Sequence, residues 1–372
     1  MGASAETPSR AAERIAETAR SGHDLVSFWR AVSPLLQNAV PHFESPCFFT
    51  VDPSSLLITS HFQEGLPELP ADWLAREYTS PDYNSMAAVF ESSDGVGTLH
   101  DATAGRPELS LKYHEEMVPY GCEQELLVAL RTPDGETWGA MGLYRERGRT
   151  LFTDQDKAFL RAVAPSLAVG VRRGLLQAEA SEPDLPDAPG AVVLDSTLGV
   201  ISCTESAFPL LAALGGTGEA MPAAVAAVAG AAAAEQESSA RARTKSGGWL
   251  VLHGSRFLDG TSPTRTVLVI LEPAQPARLA PLLMSAYGLT PRERDVAGLV
   301  LAGHTTRQCA RLLAISEHTV QQHVQTVFAK TGVRSRRELT SRVFGAHYEP
   351  RVRDNEARTG RARPARGGPM PG

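Results

Sequence analysis

The chain has 372 residues, of which 42% are hydrophobic and 21% are charged, a composition that excludes fibrous and wholly disordered proteins. At roughly 100–200 residues per domain, this length predicts two or three domains. Charge divides the chain, because residues 1–279 contain 21 Lys and Arg against 35 Asp and Glu, whereas residues 280–372 contain 15 against 7. A basic segment behind an acidic body is typical of a nucleic-acid-binding module attached to another function.

The first part of the chain alternates helical and strand-like patterns. Residues 1–23 are a polar leader, and residues 24–40 have the apolar spacing of an amphipathic helix. Turn-forming segments at 52–55 and 132–135 each separate two short apolar runs, which predicts two hairpins. The predicted strands are 47–51, 56–60, 123–130 and 138–144.

A long helix is predicted from Thr153, because Asp156 stands where a capping-box acid reaches back to the first turn. Its apolar residues recur four apart and form one continuous face. These residues are Phe159, Val163, Leu167 and Val171. Such a face needs a partner, and two remain open: the protein's own sheet, or the same helix of a second subunit.

A second, smaller α+β unit follows a segment rich in Pro and acidic residues at 181–190, which indicates a domain boundary. An Ala-rich helical stretch lies in its middle. The strands predicted for this unit are 191–195, 200–203, 249–255 and 266–271. A linker helix then leads to the C-terminal part of the chain.

Each helix boundary after Leu289 has a physical signal. Thr290, Pro291 and Glu293 provide an N-cap, a proline at the first helical position and a capping-box acid. Thr305 and Gln308 repeat the capping box after Gly303. Ser316 then caps a third helix at 317–331, which Gly332 ends, and a fourth helix begins among the residues that follow.

The third helix has two faces. Val320, Val324, Val327 and Phe328 form an apolar stripe, so the opposite face is free to meet DNA. There, Gln321, Gln322 and Gln325 are the candidate base contacts, because glutamine pairs with adenine in the major groove. The candidate phosphate contacts are Thr305, Arg307, Thr319, His323, Lys330, Arg334, Ser335, Arg336 and Arg337.

These C-terminal residues resemble the LuxR/GerE-type helix-turn-helix family. The matching elements are Leu-Thr-Pro-Arg-Glu-Arg at 289–294, Ala-Gly at 302–303, Ala310 and Leu313, Ile-Ser-Glu at 315–317, Thr-Val at 319–320, His-Val at 323–324 and Lys-Thr-Gly-Val-Arg-Ser-Arg at 330–336. Two positions depart from the family pattern: Gln321, where lysine is frequent, and Gln308, where glutamate is frequent. The resemblance implies a four-helix domain that reads double-stranded DNA as a homodimer.

The front of the chain has weaker likenesses. Residues 24–176 resemble a GAF domain through the strand at 139–144 and the Phe-Thr-Asp-x-Asp helix start at 152–156, and the second unit resembles a PAS domain through 192–195 and 248–252. Both likenesses imply a sensor for a small-molecule effector of unknown identity. The candidate pocket residues are Cys47, Phe49, Trp73, Tyr78 and Tyr83, with Phe48. The alternative interpretation is that these side chains simply belong to the hydrophobic core. An acyl-homoserine-lactone pocket with Trp73, Tyr78 and Asp82 is a further alternative, although the spacing fits poorly.

The predicted fold class is therefore multidomain: a GAF-like α+β sensor, a smaller PAS-like α+β unit and an all-α four-helix helix-turn-helix domain. The predicted order is a leader at 1–23, the GAF-like domain at 24–176, a linker at 177–189, the PAS-like domain at 190–275, a linker helix at 276–288, the helix-turn-helix domain at 289–345 and a disordered tail at 346–372.

Other function classes lack support in the sequence. No G-x-x-x-x-G-K-[ST], G-x-S-x-G or H-E-x-x-H motif occurs, so we predict neither an enzyme nor a cofactor. The four cysteines form no C-x-x-C pair, and His61, His100 and His114 are interpreted as ordinary histidines, so no metal site is expected. The absence of a secretory signal or of a long apolar run predicts a cytoplasmic protein without a membrane partner.

We therefore predict a sequence-specific DNA-binding transcriptional regulator controlled by its N-terminal sensor region. The alternative is a ligand-binding or partner-docking signalling protein whose C-terminal bundle does not read DNA. Selection of duplexes from a random pool separates the two classes.

Overall fold

The computed structural model describes residues 7–65, 70–80, 82–177, 185–186, 188–216, 220–234, 238–259, 262–274 and 276–340. It has two antiparallel five-stranded sheets with helices around them, followed by a C-terminal helical region. Both sheets belong to one compact unit, here called the two-sheet unit, and the C-terminal helices belong to a second, the C-terminal unit. Most of the predicted linker at 177–189 and the whole predicted tail at 346–372 lie outside the described residues.

The first sheet has the strand order β2-β1-β5-β4-β3. Its strands are β1 (Cys47–Val51), β2 (Ile58–Phe62), β3 (Val96–Thr98), β4 (Cys122–Arg131) and β5 (Thr137–Glu146). Its helices are α1 (Pro8–Thr18), α2 (Leu25–Ala39), α3 (Ala71–Thr79), α4 (Met86–Glu91), α5 (Leu99–Ala102) and α6 (Asp154–Gln177), with short helical turns at Pro107–Leu109, Tyr113–Met117 and Val118–Tyr120. Both predicted hairpins are confirmed, with strands longer or shifted by one to two residues.

The long helix α6 packs on its own sheet. Thr153 N donates to Asp156 Oδ2 at 2.8 Å and Asp156 N donates to Thr153 Oγ1 at 3.1 Å, which confirms the predicted capping box. Its buried face contacts β4 and β5 as well as α1 and α2. Gly170 lies directly against the Phe28 ring, where an added Cβ would come within 2.1 Å of Phe28 Cζ. Of the two partners left open by the sequence, the sheet is therefore the one that covers this face.

The second sheet has the order β7-β6-β10-β9-β8. Its strands are β6 (Gly190–Leu194), β7 (Val200–Cys203), β8 (Ser238–Arg243), β9 (Trp249–Asp259) and β10 (Ser262–Pro273), and its helices are α7 (Ala207–Ala213) and α8 (Ala223–Ala233). When the strands are counted from the first of each sheet, both sheets have the order 2-1-5-4-3. The two halves of the two-sheet unit thus share one strand topology.

Helix α8 joins these halves. Ten of its residues, Ala223 to Ala232, are buried, as expected for a helix that is apolar on every side. It contacts α3 and β2 of the first half and β8, β9 and β10 of the second. At Gly230 an added Cβ would lie 2.7 Å from Ala75 O, so the backbones of α3 and α8 approach each other closely.

A buried ion pair connects the two sheets near the same place. Asp52, only 2% exposed, follows β1, and Arg241 lies in β8. Arg241 donates through N and Nε to Asp52 Oδ2 at 2.9 and 2.8 Å and through Nη2 to Oδ1 at 2.6 Å. Burial raises the pKa of Asp52, but the hydrogen bonds and charge of Arg241 outweigh it and leave this pKa below its ordinary value.

The C-terminal unit is helical. It contains α9 (Pro276–Ala286), α10 (Pro291–Leu301), α11 (Thr306–Leu313) and α12 (Glu317–Thr331), and residues 336–340 form the described part of a further helix. The third helix of the predicted helix-turn-helix domain, expected at 317–331, is confirmed as α12 with the same bounds. The buried residues that form the hydrophobic core of this unit are Met284, Leu289, Val296, Ala297, Val300, Cys309, Ala310, Val320, Val327, Val333 and Leu339.

Two kinds of feature are absent from the described residues. No helix among them is both long and apolar enough to cross a membrane. Within the same residues, His, Cys, Asp and Glu side chains form no group of three that could hold a metal ion.

Candidate nucleic-acid interface

Reciprocal caps fix the starts of α10 and α11. Thr290 N donates to Glu293 Oε2 at 2.8 Å, and Glu293 N donates to Thr290 Oγ1 at 3.3 Å. At α11, Thr305 N donates to Gln308 Oε1 at 2.8 Å and Gln308 N to Thr305 Oγ1 at 3.3 Å. Both capping boxes predicted from the sequence are confirmed, including the one in which glutamine replaces glutamate.

The turn between α11 and α12 sets the direction of α12. Ala314 ends α11 in the left-handed conformation, with φ of 53°. Arg292 Nη2 donates to Leu313 O at 2.6 Å, which ties α10 to this turn. Ser316 then accepts a hydrogen bond from Thr319 N at 3.0 Å and begins α12.

The conformation of Ala314 predicts that Ala314→Gly stabilises the C-terminal unit. A non-glycine residue in the left-handed region costs about 1 kcal/mol in the folded state, and glycine avoids most of this cost. Glycine also raises the conformational entropy of the unfolded chain, which offsets part of the gain. We expect a net gain of about 0.5 kcal/mol in the free energy of unfolding. Urea denaturation followed by circular dichroism measures it, and a loss of stability would contradict the assigned backbone conformation.

Helix α12 separates a core face from an outer face. Val320 and Val327 are buried, and Val324 and Phe328 pack beside them. The three candidate base contacts, Gln321, Gln322 and Gln325, are all exposed. The structure thus places the three glutamines together on the outer face, within little more than one turn of the helix.

The candidate phosphate contacts differ in their surroundings. Thr305, Arg307, Arg334 and Arg337 are exposed, and Thr319 and His323 are half-buried. Three of these six are arginines, whose guanidinium groups suit phosphate oxygens.

The other three candidates make contacts inside the domain. Lys330 Nζ donates to Glu293 Oε2 at 2.6 Å and to Gly288 O at 2.9 Å. Arg336 donates to His304 O at 2.7 Å and to Thr306 Oγ1 at 2.9 Å. Ser335 Oγ accepts from Glu338 N at 3.1 Å and so caps the last helical segment. The partners of Lys330 and Arg336 lie 30 to 42 residues away, so no local pattern predicts those contacts, whereas the Ser335–Glu338 cap spans only three residues.

Lys330 also changes the protonation behaviour of its partner. Burial raises the pKa of Glu293, but the hydrogen bond and charge of Lys330, together with the bond from Thr290 N, leave this pKa below its ordinary value. The carboxylate is therefore ionised at neutral pH. It holds the start of α10 and the end of α12 together through a charge-assisted hydrogen bond.

The sequence of this unit matches a known family. Residues 288–343 fit the model of the bacterial regulatory proteins of the luxR family. They form a LuxR-type helix-turn-helix domain. The resemblance of these residues to the LuxR/GerE-type family is confirmed, and the matched segment does not include the two-sheet unit.

Relatives are similar over this LuxR-type domain. The monoamine regulon transcriptional regulator of Klebsiella aerogenes is 45% identical over 56 residues, which is 15% of this chain and 25% of that protein. The spore germination protein GerE of Bacillus subtilis is 44% identical over 48 residues, which is 13% of this chain and 65% of that protein. The chain therefore spans less than two thirds of the length of either relative.

Among solved structures, the phage VqmA–DPO complex is 16% identical, with a TM-score of 0.23, and the match covers 46% of this chain and 86% of that one. The Escherichia coli DhaR(N)–DhaL complex is 15% identical, with a TM-score of 0.20, and the match covers 71% of this chain and 87% of that one. Scores this low support no inference about the LuxR-type domain or the two-sheet unit.

The candidate pocket residues of the two-sheet unit have different surroundings. Cys47, Phe48 and Phe49 are buried in β1, and Tyr78 Oη accepts a hydrogen bond from Ile58 N at 2.8 Å. Tyr83 is 41% exposed. Trp73 lines a cavity beside α3 together with Asp82, which the sequence also singled out, and with charged residues that it did not: Arg76, Glu77, Lys112 and Glu116.

Proposed function

We propose that the protein is a sequence-specific DNA-binding transcriptional regulator in which α12 enters the major groove. The observation that supports it most directly is the exposure of Gln321, Gln322 and Gln325 on the outer face of a LuxR-type domain. Amide side chains there can read base edges, whereas phosphate contacts position the helix.

The proposed complex contains two copies of the chain. A homodimer would place two α12 helices in successive major grooves of a two-fold site on double-stranded DNA. Exposed Arg307, Arg334 and Arg337 are the proposed phosphate contacts, with Thr305, Thr319 and His323 beside them. Lys330, Ser335 and Arg336 contribute by holding the domain together and can add long-range positive charge.

We further propose that the two-sheet unit is the sensor region. Two halves with one strand order support two related sensor modules, GAF-like at 24–176 and PAS-like at 190–275. A small-molecule effector bound there would change the pairing or accessibility of the LuxR-type domains. The proposed protein acts without catalysis of its own.

Substitutions on α12 test base reading. We expect Gln321→Ala and Gln322→Ala each to weaken binding to the selected site about tenfold, since one good base contact contributes about 1–3 kcal/mol. The site is first selected from random duplexes with the purified full-length protein, and affinities are then measured by gel shift. Gln155→Ala, the same change at an exposed position of α6, should leave affinity unaltered.

Salt dependence separates phosphate contacts from base contacts. Arg337→Ala should weaken binding to selected and unrelated DNA alike and reduce the slope of log K against log salt by about 1. Gln322→Ala should leave that slope unchanged. If selection enriches no motif while the C-terminal unit remains folded, the protein belongs to the partner-docking class instead.

A further inference from the structure

A cavity of about 180 Å³ lies beside α3 in the first half of the two-sheet unit. Clefts for drug-sized ligands measure about 300–1,000 Å³, so this cavity suits a smaller molecule. Its walls combine one aromatic, several charged and two leucine side chains. The lining residues are Trp73, Arg76, Glu77, Ser80, Asp82, Ser85, Leu109, Leu111, Lys112 and Glu116.

Both cations of the cavity are already paired with carboxylates outside it. Lys112 Nζ lies 2.8 Å from Glu125 Oε2, and the Glu125 side chain is only 2% exposed. Arg76 is paired through Nη1 with Glu115 and through Nη2 with Asp72. Positive charge on these walls is therefore neutralised without help from the carboxylates that line the cavity.

The lining carboxylates are satisfied to different degrees. Asp82 Oδ2 accepts from Ser110 Oγ at 2.7 Å and from Lys112 N at 2.8 Å. Glu77 Oε2 accepts from Met86 N at 2.8 Å, while its Oε1 lies 3.9 Å from Lys112 Nζ. Two carboxyl groups of the cavity, Glu77 and Glu116, therefore have their nearest cation within the described residues only at 3.9 Å.

Glu116 has the weakest pairing. Its one ion pair within the described residues joins Oε1 to Arg76 Nη1 at 3.9 Å, beyond hydrogen-bond distance, although its side chain is 15% exposed. Burial raises the pKa of Glu116 to about 8, the charges of Lys112 and Arg76 lower it, and those of Glu77 and Glu125 raise it. An incoming cation would supply the partner that this carboxyl lacks.

Part of the cavity lining is apolar. The Trp73 ring meets Tyr120 edge to face, with ring centroids 5.3 Å apart and an interplanar angle of 79°. Leu109 and Leu111 are 45% and 53% exposed, which is high for leucine beside a cavity. An aromatic face next to carboxylates favours an organic cation with an apolar body.

We propose that this cavity binds a small primary amine in its ammonium form, with the ammonium group at Glu116 and Glu77 and the apolar body against Trp73 and Leu109. The bound amine would be the effector of the proposed regulator, and that consequence rests on the proposed function. Helix α3, which carries three of the lining residues, also packs on α8, so amine binding in the cavity would be coupled to the second half through α8.

Calorimetric titration of the full-length protein without DNA tests the proposal. The probe is 2-phenylethylamine, with 2-phenylethanol as the neutral analogue and 3-phenylpropanoate as the anionic one. We expect the amine to bind and the two analogues to bind at least about tenfold more weakly, as loss of a charged hydrogen bond predicts. No binding of the amine, or equal binding of the alcohol, would overturn the proposal.

Glu116→Gln localises the effect. It should weaken amine binding about tenfold or more, whereas Glu123→Gln, which removes a carboxylate paired with Arg147 on the surface, should not. An unchanged melting temperature shows that both variants are folded. Equal amine affinity of Glu116→Gln and the unsubstituted protein would refute the assigned site.

The pH dependence of amine affinity tests for direct contact with Glu116, because a purely structural role of this residue would not produce it. Because the free carboxyl is largely neutral at pH 7, amine binding must release its proton, so affinity should rise between about pH 6.5 and about pH 8.5. Glu116→Gln should remove this pH dependence. Since DNA is absent, a negative result here leaves the proposed DNA binding untouched, and failure to bind DNA leaves this result untouched.

Discussion

Arg241→Met is expected to lower the free energy of unfolding of the two-sheet unit by about 3–5 kcal/mol. Its guanidinium makes two of its hydrogen bonds to Asp52 at 2.8 and 2.6 Å, and Asp52 is almost fully buried. Methionine fills a similar volume but leaves that carboxylate without its countercharge. Urea denaturation at pH 7 measures the loss.

An exposed ion pair provides the control. Arg30 Nε lies 2.8 Å from Glu64 Oε1, and both side chains are about half exposed, at 62% and 49%. Arg30→Met should therefore cost less than about 1 kcal/mol. Equal losses in the two variants would mean that the Asp52–Arg241 pair contributes no more than a surface pair.

The same pair predicts a pH dependence with a definite sign. The folded-state pKa of Asp52 lies below its ordinary value, so ionised Asp52 adds stability that is fully present above the unfolded-state pKa of about 3.9 and is lost as pH falls through the folded-state pKa. The stability difference between the unsubstituted protein and Asp52→Asn should be constant near neutral pH and should shrink below about pH 4.

Gly230→Ala is expected to destabilise the two-sheet unit by about 3 kcal/mol, against the ordinary preference of helices for alanine. An added Cβ would lie 2.7 Å from Ala75 O and 2.8 Å from Ala75 Cα. These are backbone atoms, so α3 and α8 would have to move apart. Thermal unfolding should show a lower melting temperature.

Gly298→Ala is the matched control, since it makes the same chemical change within a helix. An added Cβ at Gly298 in α10 meets nothing within 4 Å. This variant should gain up to about 1 kcal/mol from helix propensity and reduced unfolded-state entropy. Effects of the same sign at both glycines would show that α3 and α8 do not approach as closely as described.

The LuxR-type domain could be predicted closely from the sequence because its boundaries depend on local chemistry. Ser316 and Gly332 bound α12 through a cap and a left-handed glycine, and each signal lies within a few residues of the helix it ends. The same holds for Thr153 at the start of α6. Short-range hydrogen bonds leave a pattern that a single sequence reveals.

Other features could not be found in this way. Strand β8, Ser-Ser-Ala-Arg-Ala-Arg, has small and charged residues where strands favour β-branched ones, and its partner β9 supplies the pairing that makes it a strand. Asp52 and Arg241 are 189 residues apart. The cavity likewise joins α3 to residues near Lys112, so its charge balance emerges only when the chain has folded.

Helix α8 has a consequence for how the protein unfolds. Since all of its faces are covered by elements from both sheets, neither half can open without exposing apolar surface that the other half buries. The two halves should consequently melt as one cooperative transition, with equal calorimetric and van't Hoff enthalpies for the two-sheet unit. The two halves would then unfold together although they share one strand order, unlike the units of repeat proteins that open one at a time.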